Sequence, residues 1–162
     1  MIRVGFGCDV HPFDETKPLF LGGVFFPSSV GLKGHSDADV VLHALCDSLL
    51  GAVAMGDIGE HFPDTDARYK NKESSFFLQK VVQLLRNDGF SIVNIDITIL
   101  AEKPKIMEQK KNIRVSISKI CDIDLNQVSV KATTTEKLGF VGREEGIMAC
   151  AVSTITSGGG NV

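Results

Sequence analysis

Residues 36–55 read Ser36-Asp37-Ala38-Asp39-Val40-Val41-Leu42-His43-Ala44-Leu45-Cys46-Asp47-Ser48-Leu49-Leu50-Gly51-Ala52-Val53-Ala54-Met55. Ser36 with Asp39 three residues later matches a capping box, which predicts a helix of about five turns from Asp37 to Met55. The middle of the segment is apolar on most faces, which is typical of a buried helix. We therefore predict that this helix lies at the centre of the core and ends at Gly56-Asp57-Ile58-Gly59.

Patterns on either side of this helix predict the other elements. Ile95, Ile97 and Ile99 alternate with polar residues, which is typical of a strand. The predicted set comprises strands over residues 2–11, 19–26, 95–99, 128–133 and 147–155, helices over 74–86 and 107–120, and loops over 27–33 and 60–71. Strands and helices are mixed without a strict β-α-β rhythm. We therefore predict an α+β fold with helices packed on one face of a mixed sheet.

Length, composition and charge restrict the class of protein. At 43% hydrophobic and 23% charged residues, the chain has enough apolar material for a core. We predict one domain over residues 1–156 and a disordered glycine-rich tail over 157–162. A net charge of −3 argues against a nucleic-acid partner, and no segment is long and apolar enough for a membrane span.

The four cysteines are widely spaced and include no C-x-x-C pair, so we expect no cysteine-based zinc site. Reduced, mostly buried thiols and an N-terminus without a signal peptide predict a cytoplasmic protein. A bacterial cytoplasm is expected, and a mature plastid form stays open as an alternative.

Asp9, His11 and His43 form a candidate metal site. Asp9 and His11 are two residues apart at a strand end, so their side chains share one face. His43 would add a third ligand from the helix. Asp39 and Asp47 lie four residues before and after His43, and we expect Asp47 to orient its imidazole. Two histidines and one carboxylate leave an open position, which is typical of catalytic sites.

The local pattern leaves two interpretations of this site open. A lone histidine in an apolar helix is more often a hydrogen-bonded core residue, and an isolated D-x-H occurs by chance. If a metal does bind, the ligand set suits zinc, with manganese or iron as alternatives.

Further segments could bind phosphate. His35 and Ser36 precede the predicted helix, whose free N–H groups would form an anion site. Thr133-Thr134-Thr135 offers three hydroxyls at a strand end, and Glu136 could hold a magnesium-like ion beside a diphosphate. Arg143, flanked by glycines, could bind a phosphate, although a solvated surface loop explains it equally well.

Two loops carry acidic side chains, at residues 56–59 and in Phe62-Pro63-Asp64-Thr65-Asp66. They could bind substrate hydroxyls or simply cap turns. The chain contains no P-loop, no complete dinucleotide-binding fingerprint, no G-x-S-x-G and no H-E-x-x-H.

Together these segments resemble the 2-C-methyl-D-erythritol 2,4-cyclodiphosphate synthase family of the non-mevalonate isoprenoid pathway. The resemblance covers about residues 3–152, nearly the whole chain. The motifs that carry it, in the order and spacing of the family, are Gly7–His11, Gly34–His43, Gly56–Gly59, Phe62–Asp66, Ala101–Lys105, Lys131–Phe140 and Gly142–Gly146.

The resemblance implies an activity and a set of site residues. The substrate would be 4-diphosphocytidyl-2-C-methyl-D-erythritol 2-phosphate, whose own 2-phosphate attacks the β-phosphorus and releases CMP. Zinc would bind Asp9, His11 and His43, magnesium or manganese would bind Glu136, and His35 and Thr134 would be catalytic. The implied substrate-binding residues are Asp9, His11, Ser36, Asp57, Ile58, Gly59, Phe62, Asp64, Asp66, Ala101, Pro104, Lys105, Ile106, Met107, Thr133, Thr135, Glu136, Phe140 and Arg143.

The resemblance also implies a homotrimer with active sites between neighbouring subunits. Arg143 and Glu145 match residues that line a central cavity, which binds isoprenoid diphosphates in some members. Phe6 and Cys8 occupy variable positions, and Cys8 should face away from the metal because side chains alternate along a strand.

Two alternatives compete with the synthase interpretation. A metal-dependent phosphoesterase would use a zinc-activated water and release a linear product. A non-catalytic trimeric protein that binds isoprenoid diphosphates would lack His35, Thr134 or a metal ligand, whereas all of these residues are present.

Overall fold

The computed structural model describes residues 1–27, 29–34 and 36–158. The strands are β1 (Ile2–Asp14), β2 (Leu19–Leu21), β3 (Val24–Phe26), β4 (Gly31–Leu32), β5 (Phe90–Leu100), β6 (Val128–Thr133) and β7 (Gly146–Ser157). The helices are α1 (Val40–Ala52), α2 (Ile58–His61), α3 (Ser74–Asn87), α4 (Lys110–Cys121) and α5 (Gly139–Gly142), with short 3-10 turns at Ala67–Tyr69, Ile106–Gln109 and Leu125–Gln127.

Five strands form one mixed sheet in the order β4-β1-β7-β5-β6. The strand β7 runs antiparallel to both β1 and β5, whereas β5 and β6 are parallel. The long helices contact one face of this sheet: α1 packs on β1 and β7, α3 on β5, and α4 on β6. The predicted α+β class with a mixed sheet is therefore confirmed.

The opposite face of the sheet is exposed and partly apolar. Ile2, Val4, Phe6 and Val10 on β1 are between 43% and 70% exposed, and Val152 on β7 is 38% exposed. We call these five residues the outer apolar face. The alternation along β1 places Asp9 and His11 on the other side, toward the helices.

The central helix α1 is shorter than predicted at both ends, because it begins at Val40 and not at Asp37, and ends at Ala52 and not at Met55. Ser36 and Ala38 have positive φ angles of 57° and 49°, which a helix cannot accommodate. The capping-box prediction is therefore wrong. Asp39 is the cap, and its carboxylate accepts hydrogen bonds from the N–H groups of Val41 and Leu42.

Two glycines of β1 allow α1 to approach the sheet closely. A Cβ on Gly7 would overlap the carbonyl oxygen of Ala44, and one on Gly5 would overlap that of Ser48. The absence of a side chain at both positions therefore sets the distance between the strand that carries Asp9 and the helix that carries His43.

The prediction of a single strand over residues 19–26 is wrong, because β2 and β3 form a hairpin. Gly22 and Gly23 have positive φ angles and make the turn, and their N–H groups donate to Asp39. The predicted loop over residues 27–33 also contains a short strand, β4, which pairs with β1.

The remaining predictions differ from the structure mainly at element ends. The strand β6 matches its predicted bounds, α3 extends one residue beyond them, and β1 and β5 are longer at one or both ends. β7 includes Ser157, and residues 159–162 of the predicted tail lie outside the described residues. None of the helices in the described ranges has the length and apolar character that crossing a membrane requires.

Candidate metal centre and substrate pocket

Asp9 and His11 on β1 meet His43 on α1 at the edge of the core. His11 Nε2 lies 2.9 Å from Asp9 Oδ2, and His43 Nδ1 lies 3.2 Å from both of these atoms. Three donor atoms at such separations can all reach one ion at the Zn–N and Zn–O distances of about 2.0–2.2 Å found in proteins. Among the described residues, this is the one group of three or more potential metal ligands found.

The hydrogen bond of His11 to the backbone fixes its tautomer. Its Nδ1 lies 2.9 Å from the carbonyl oxygen of Lys33, which can only accept a hydrogen bond. The proton of the neutral ring is therefore on Nδ1. The lone pair on Nε2 points toward Asp9 and His43.

A serine on α3 fixes the tautomer of His43. Ser74 Oγ lies 2.5 Å from Asp37 Oδ1 and 2.9 Å from His43 Nε2. The hydroxyl has one proton, and it donates this proton to the Asp37 carboxylate. Ser74 must then accept a hydrogen bond from the N–H at His43 Nε2, which leaves the lone pair on Nδ1 facing Asp9.

The prediction that Asp47 orients His43 is therefore wrong. Asp47 accepts a hydrogen bond from the N–H of Ile58 at 2.8 Å, and Asp39 caps α1. Ser74 and Asp37 have the orienting role, and neither was predicted from the sequence. The signal that could have revealed Ser74 is a serine at the start of an amphipathic helix, although nothing in the sequence pairs it with α1.

The fixed tautomers make the cluster suitable for a cation. Two ring lone pairs and a carboxylate oxygen converge within 3.2 Å, an arrangement that is repulsive unless a proton or metal ion lies between them. Burial alone would raise the pKa of Asp9, but hydrogen bonds from His11 and His43, which the rings can donate to Asp9 only when they carry a second proton, hold it below its usual range. Burial acts to lower the pKa of His11, but the Asp9 carboxylate raises it overall.

Asp9, His11 and His43, the candidate ligands that we call the metal-binding cluster, form one wall of a pocket of about 630 Å³. Phe62, Tyr69 and Phe77 pack against each other in this pocket, with ring centroids 5.1–6.0 Å apart. Tyr69 and Phe77 were not predicted as site residues. The pocket is lined by Asp9, His11, Gly34, Ser36, His43, Asp47, Ile58, Gly59, Phe62, Asp64, Thr65, Ala67, Tyr69, Lys70, Asn71 and Phe77.

The acidic residues of the two predicted loops have different surroundings. Asp57 caps α2 by accepting the N–H of Glu60, while Ile58 and Gly59 line the pocket. Asp64 also lines the pocket, whereas Asp66 is paired with the side chain of Arg68. The turn-capping interpretation therefore applies to the carboxylates of Asp57 and Asp66.

The anion site predicted at the start of the central helix is not formed as expected. The Asp39 carboxylate already occupies the first N–H groups of α1. Burial raises the pKa of Asp39 to about 6, against the effect of the backbone N–H donors around it. Ser36 lines the pocket next to the metal ligands, and His35 lies outside the described residues.

The residues predicted for the nucleotide end, together with Thr134 and Glu136, form a second group, which we call the nucleotide-side cluster. The cluster consists of two segments, residues 101–107 and 133–143. Glu102 in the first segment joins them by accepting hydrogen bonds from the backbone N–H groups of Thr135 and Lys137. Arg143 is exposed and paired with Glu145. The members of the cluster are Ala101, Pro104, Lys105, Ile106, Met107, Thr133, Thr134, Thr135, Glu136, Phe140 and Arg143.

The part of the nucleotide-side cluster that follows β6 lies far from the metal ligands within one chain. Register places Asp9, Ala149, Ile99 and Ala132 in a row across four strands. Three strand spacings separate β1 from β6, a distance of roughly 14 Å. The chain brings the metal ligands and the pocket residues together, and it leaves the residues that follow β6 away from them.

Glu136 does not form a metal site with other side chains in the described chain. It is exposed, has a positive φ of 52°, and its carboxylate accepts a hydrogen bond from Thr134 Oγ1 at 3.2 Å. A single carboxylate suits magnesium only where phosphate oxygens and water supply the other ligands.

The YgbB family model matches residues 2–156. The chain belongs to the YgbB family. A curated relative is the 2-C-methyl-D-erythritol 2,4-cyclodiphosphate synthase of Acinetobacter baumannii (strain SDF), which is 54% identical over 155 residues, covering 96% of this chain and 97% of the relative. The predicted family resemblance is therefore confirmed.

Solved structures of YgbB-like chains agree with the fold. The bifunctional IspDF from Campylobacter jejuni matches with a TM-score of 0.93 and 44% identity over 98% of this chain. The match spans 43% of that longer protein. The IspF of Plasmodium falciparum, solved as a CDP complex, matches with a TM-score of 0.84 and 38% identity over 96% of both chains.

Proposed function

We propose that this chain converts 4-diphosphocytidyl-2-C-methyl-D-erythritol 2-phosphate to 2-C-methyl-D-erythritol 2,4-cyclodiphosphate with release of CMP. This is a phosphorus–oxygen lyase reaction of non-mevalonate isoprenoid precursor biosynthesis. The nucleophile is the 2-phosphate of the substrate, so the protein needs no nucleophilic side chain. Positioning and charge neutralisation are sufficient to carry such a reaction.

The observation that carries this proposal is the metal-binding cluster with its fixed tautomers on the wall of the pocket. Lys33 and Ser74 hold His11 and His43 with their lone pairs toward Asp9. We assign zinc, or another divalent transition metal, to this cluster. When bound, the ion supplies positive charge that polarises the β-phosphate.

The side chains of the pocket position the rest of the erythritol half. Ile58, Gly59 and Phe62 form walls against its carbon skeleton, and Asp64 faces its hydroxyl groups. His35 and Thr134 carry the proposed catalytic roles of stabilising charge on the phosphates in the transition state. Positively charged and hydroxyl-bearing residues of the nucleotide-side cluster hold the CDP group. The CDP complex of the Plasmodium falciparum relative supports this assignment.

Magnesium or manganese fits the proposal as a second ion. Glu136 would provide one carboxylate ligand, and the α- and β-phosphates of the substrate would provide others. The exposed position of Glu136 is consistent with an ion that arrives with the diphosphate.

We further propose that the active protein is a homotrimer with each site between two subunits. Two features support this assembly. Within one chain, the part of the nucleotide-side cluster that follows β6 is three strand spacings, roughly 14 Å, from the strand that carries Asp9 and His11, which is longer than a diphosphate. The outer apolar face leaves large side chains exposed, which is typical of a surface that packs against another subunit. The trimer would enclose a central cavity near Arg143 and Glu145 that could hold an isoprenoid diphosphate.

The test is an assay of the purified chain with the proposed substrate, following CMP and the cyclic diphosphate. We expect both products, with loss of both after chelation or in the His43→Ala variant, and recovery of the wild type on adding zinc and magnesium. CMP with only linear product would instead identify a hydrolase on the same scaffold. Absence of CMP from a folded, zinc-loaded protein would support the non-catalytic binding protein. Fractionation of the source cells would test the proposed cytoplasmic location.

A further inference from the structure

The Glu102 carboxylate lies just after the end of β5, beside the turn that connects β6 to α5. Its Oε1 accepts hydrogen bonds from the N–H groups of Thr135 at 3.2 Å and of Lys137 at 3.3 Å. Its Oε2 lies 2.9 Å from the Lys137 ammonium, and the Glu102 side chain is only 5% exposed. One largely buried carboxylate therefore binds this turn at two backbone positions and at one side chain.

The turn spans residues 135–138 and has an unusual backbone. The N–H of Leu138 donates to the carbonyl oxygen of Thr135 at 2.9 Å, and the two central residues, Glu136 and Lys137, have φ angles of 52° and 65°. Two successive positive φ angles are typical of a type I′ turn, which favours Gly, Asn and Asp. Residues with longer side chains adopt this conformation only where surrounding contacts hold it. Glu102 supplies such contacts, because it binds the N–H groups on either side of Glu136.

The same turn fixes the positions of Thr134 and Glu136 relative to each other. Thr134 Oγ1 donates to Glu136 Oε1 at 3.2 Å and accepts the N–H of Glu136 at 3.4 Å. The hydroxyl proposed to be catalytic and the carboxylate proposed to bind magnesium are therefore linked. A shift of the backbone at Glu136 would move both groups.

We propose that Glu102 is a positioning residue, which holds this turn so that Thr134 and Glu136 face the diphosphate of the substrate. The inference rests on the proposed function. Glu102 acts through its hydrogen bonds to the turn, so the position of its oxygen matters more than its charge. The ion pair with Lys137 contributes little by comparison, because the Lys137 side chain is 70% exposed.

Two variants separate the position of the oxygen from the charge. Glu102→Gln keeps an oxygen at the same reach without the charge, whereas Glu102→Asp keeps the charge on a shorter side chain. We expect Glu102→Asp to lower kcat about 100-fold, the usual effect of a small misplacement of a reacting group. The KM should change little, because Thr134 acts on charge that develops in the transition state. Glu102→Gln should retain a kcat close to that of the wild type.

Magnesium dependence gives a readout that a loss of stability alone would not change. If the turn positions Glu136, the magnesium concentration for half-maximal activity should rise in Glu102→Asp and stay unchanged in Glu102→Gln. The unfolding temperature and the zinc content of each variant would show that the fold and the metal-binding cluster are intact.

Hydrogen exchange tests the turn without any activity measurement. Mass spectrometry of peptides that span residues 133–138 should show at least two more rapidly exchanging amides in Glu102→Asp than in the wild type, those of Thr135 and Lys137. Glu144→Gln is the matched control, because the Glu144 carboxylate pairs with the ammonium groups of Lys103 and Lys137. It should leave both kcat and exchange unchanged.

The outcomes distinguish this inference from the proposed function. A wild type that releases no CMP would overturn the proposed function and the positioning role with it. In an active wild type, an unchanged kcat in Glu102→Asp, or equal losses in Glu102→Asp and Glu102→Gln, would overturn the positioning role alone. Unchanged exchange in Glu102→Asp would show that Glu102 does not hold the turn.

Discussion

The hydroxyl of Ser74 determines which nitrogen of His43 faces Asp9 and His11 in the metal-binding cluster. Replacing it with alanine removes the acceptor for the N–H at His43 Nε2, so the ring can rotate or adopt the other tautomer. We expect Ser74→Ala to weaken zinc binding about 10- to 100-fold, which is the usual cost of losing a group that orients a metal ligand. Competition with a chelator of known affinity would measure this.

The neighbouring serine provides the control for that variant. Ser75 is in the same first turn of α3, but its hydroxyl contacts Glu73 and not His43. Ser75→Ala should bind zinc as the wild type does. Equal zinc affinities for the two variants would show that Ser74 does not position the ligand.

Protonation of His11 should make zinc affinity dependent on pH. Metal binding requires a neutral imidazole, and the pKa of His11 in the metal-free chain is above the ordinary value of 6.5. Affinity should therefore be highest above this raised pKa and should fall as the pH falls through it toward 6. Asp9 has a lowered pKa and stays charged over this range. The same competition assay between pH 8 and pH 6 would measure the change.

The same shift affects the stability of the metal-free chain. A raised folded-state pKa means that the protonated His11–Asp9 pair stabilises the fold below pH 6.5, and that this contribution is lost as the pH rises through the folded-state pKa. With zinc present, the stability of the fold should instead rise from pH 6 to pH 8, because zinc binds the neutral form of His11. His61 lies outside the cluster, so His61→Ala should show the same dependence of stability on pH as the wild type, both without and with zinc. A zinc affinity that is constant with pH would contradict the assignment of His11 as a zinc ligand.

At the residue scale, the sequence predicted which candidate ligands come together but not what orients them. Asp9 and His11 could be paired because a two-residue spacing on a strand has a single geometric meaning. Ser74 could not be connected to His43, because the contact joins residues of two different helices that are 31 positions apart in sequence. Such a contact depends on packing, which local patterns do not contain.

At the level of elements, the contact between β1 and α1 controls the geometry of the ligands. Gly7→Ala would force a Cβ into the backbone of α1 at Ala44, and the strand or the helix would have to move. We expect a loss of about 3 kcal/mol or more in the free energy of unfolding, the upper end of the cost of overpacking, together with weaker zinc binding. Urea denaturation would measure the first effect.

Gly51 is the matched control, since it is also a glycine at this contact but has open space around it. The nearest atom to an added Cβ is the carbonyl oxygen of Phe6, at 4.0 Å. Gly51→Ala should stabilise the protein by up to about 1 kcal/mol, because alanine favours a helix. Similar stabilities for Gly7→Ala and Gly51→Ala would mean that β1 and α1 are not closely packed.

Element ends were predicted less well than element types, for a reason visible at α1. The capping-box pattern predicts Ser36 as the cap, whereas Asp39, three residues later, is the cap in the structure. The choice of Asp39 depends on the hairpin turn at Gly22 and Gly23, whose N–H groups also bind its carboxylate. A distant turn therefore decides where the helix begins.

At the scale of the whole molecule, the exposed outer apolar face and the distance between the two groups of site residues both predict that the protein works as an assembly of subunits. If subunits pack through this face, a charge at its centre should prevent assembly. Phe6 is 64% exposed in the single chain, so Phe6→Glu should leave the chain folded. We expect it to be monomeric and to lose at least about tenfold in kcat/KM, because burying an unpaired charge in an apolar interface is costly.

Leu125→Glu is the corresponding control, since Leu125 is an exposed apolar residue that lies outside this face. Light scattering during size-exclusion chromatography would give the mass of each variant, and its zinc content would show whether the metal-binding cluster survives. A Phe6→Glu monomer that binds zinc but has lost activity would locate the missing nucleotide-side residues on a second subunit. Full activity in that monomer would mean that one chain can bring both clusters to the substrate, and the proposed assembly would then have no catalytic role.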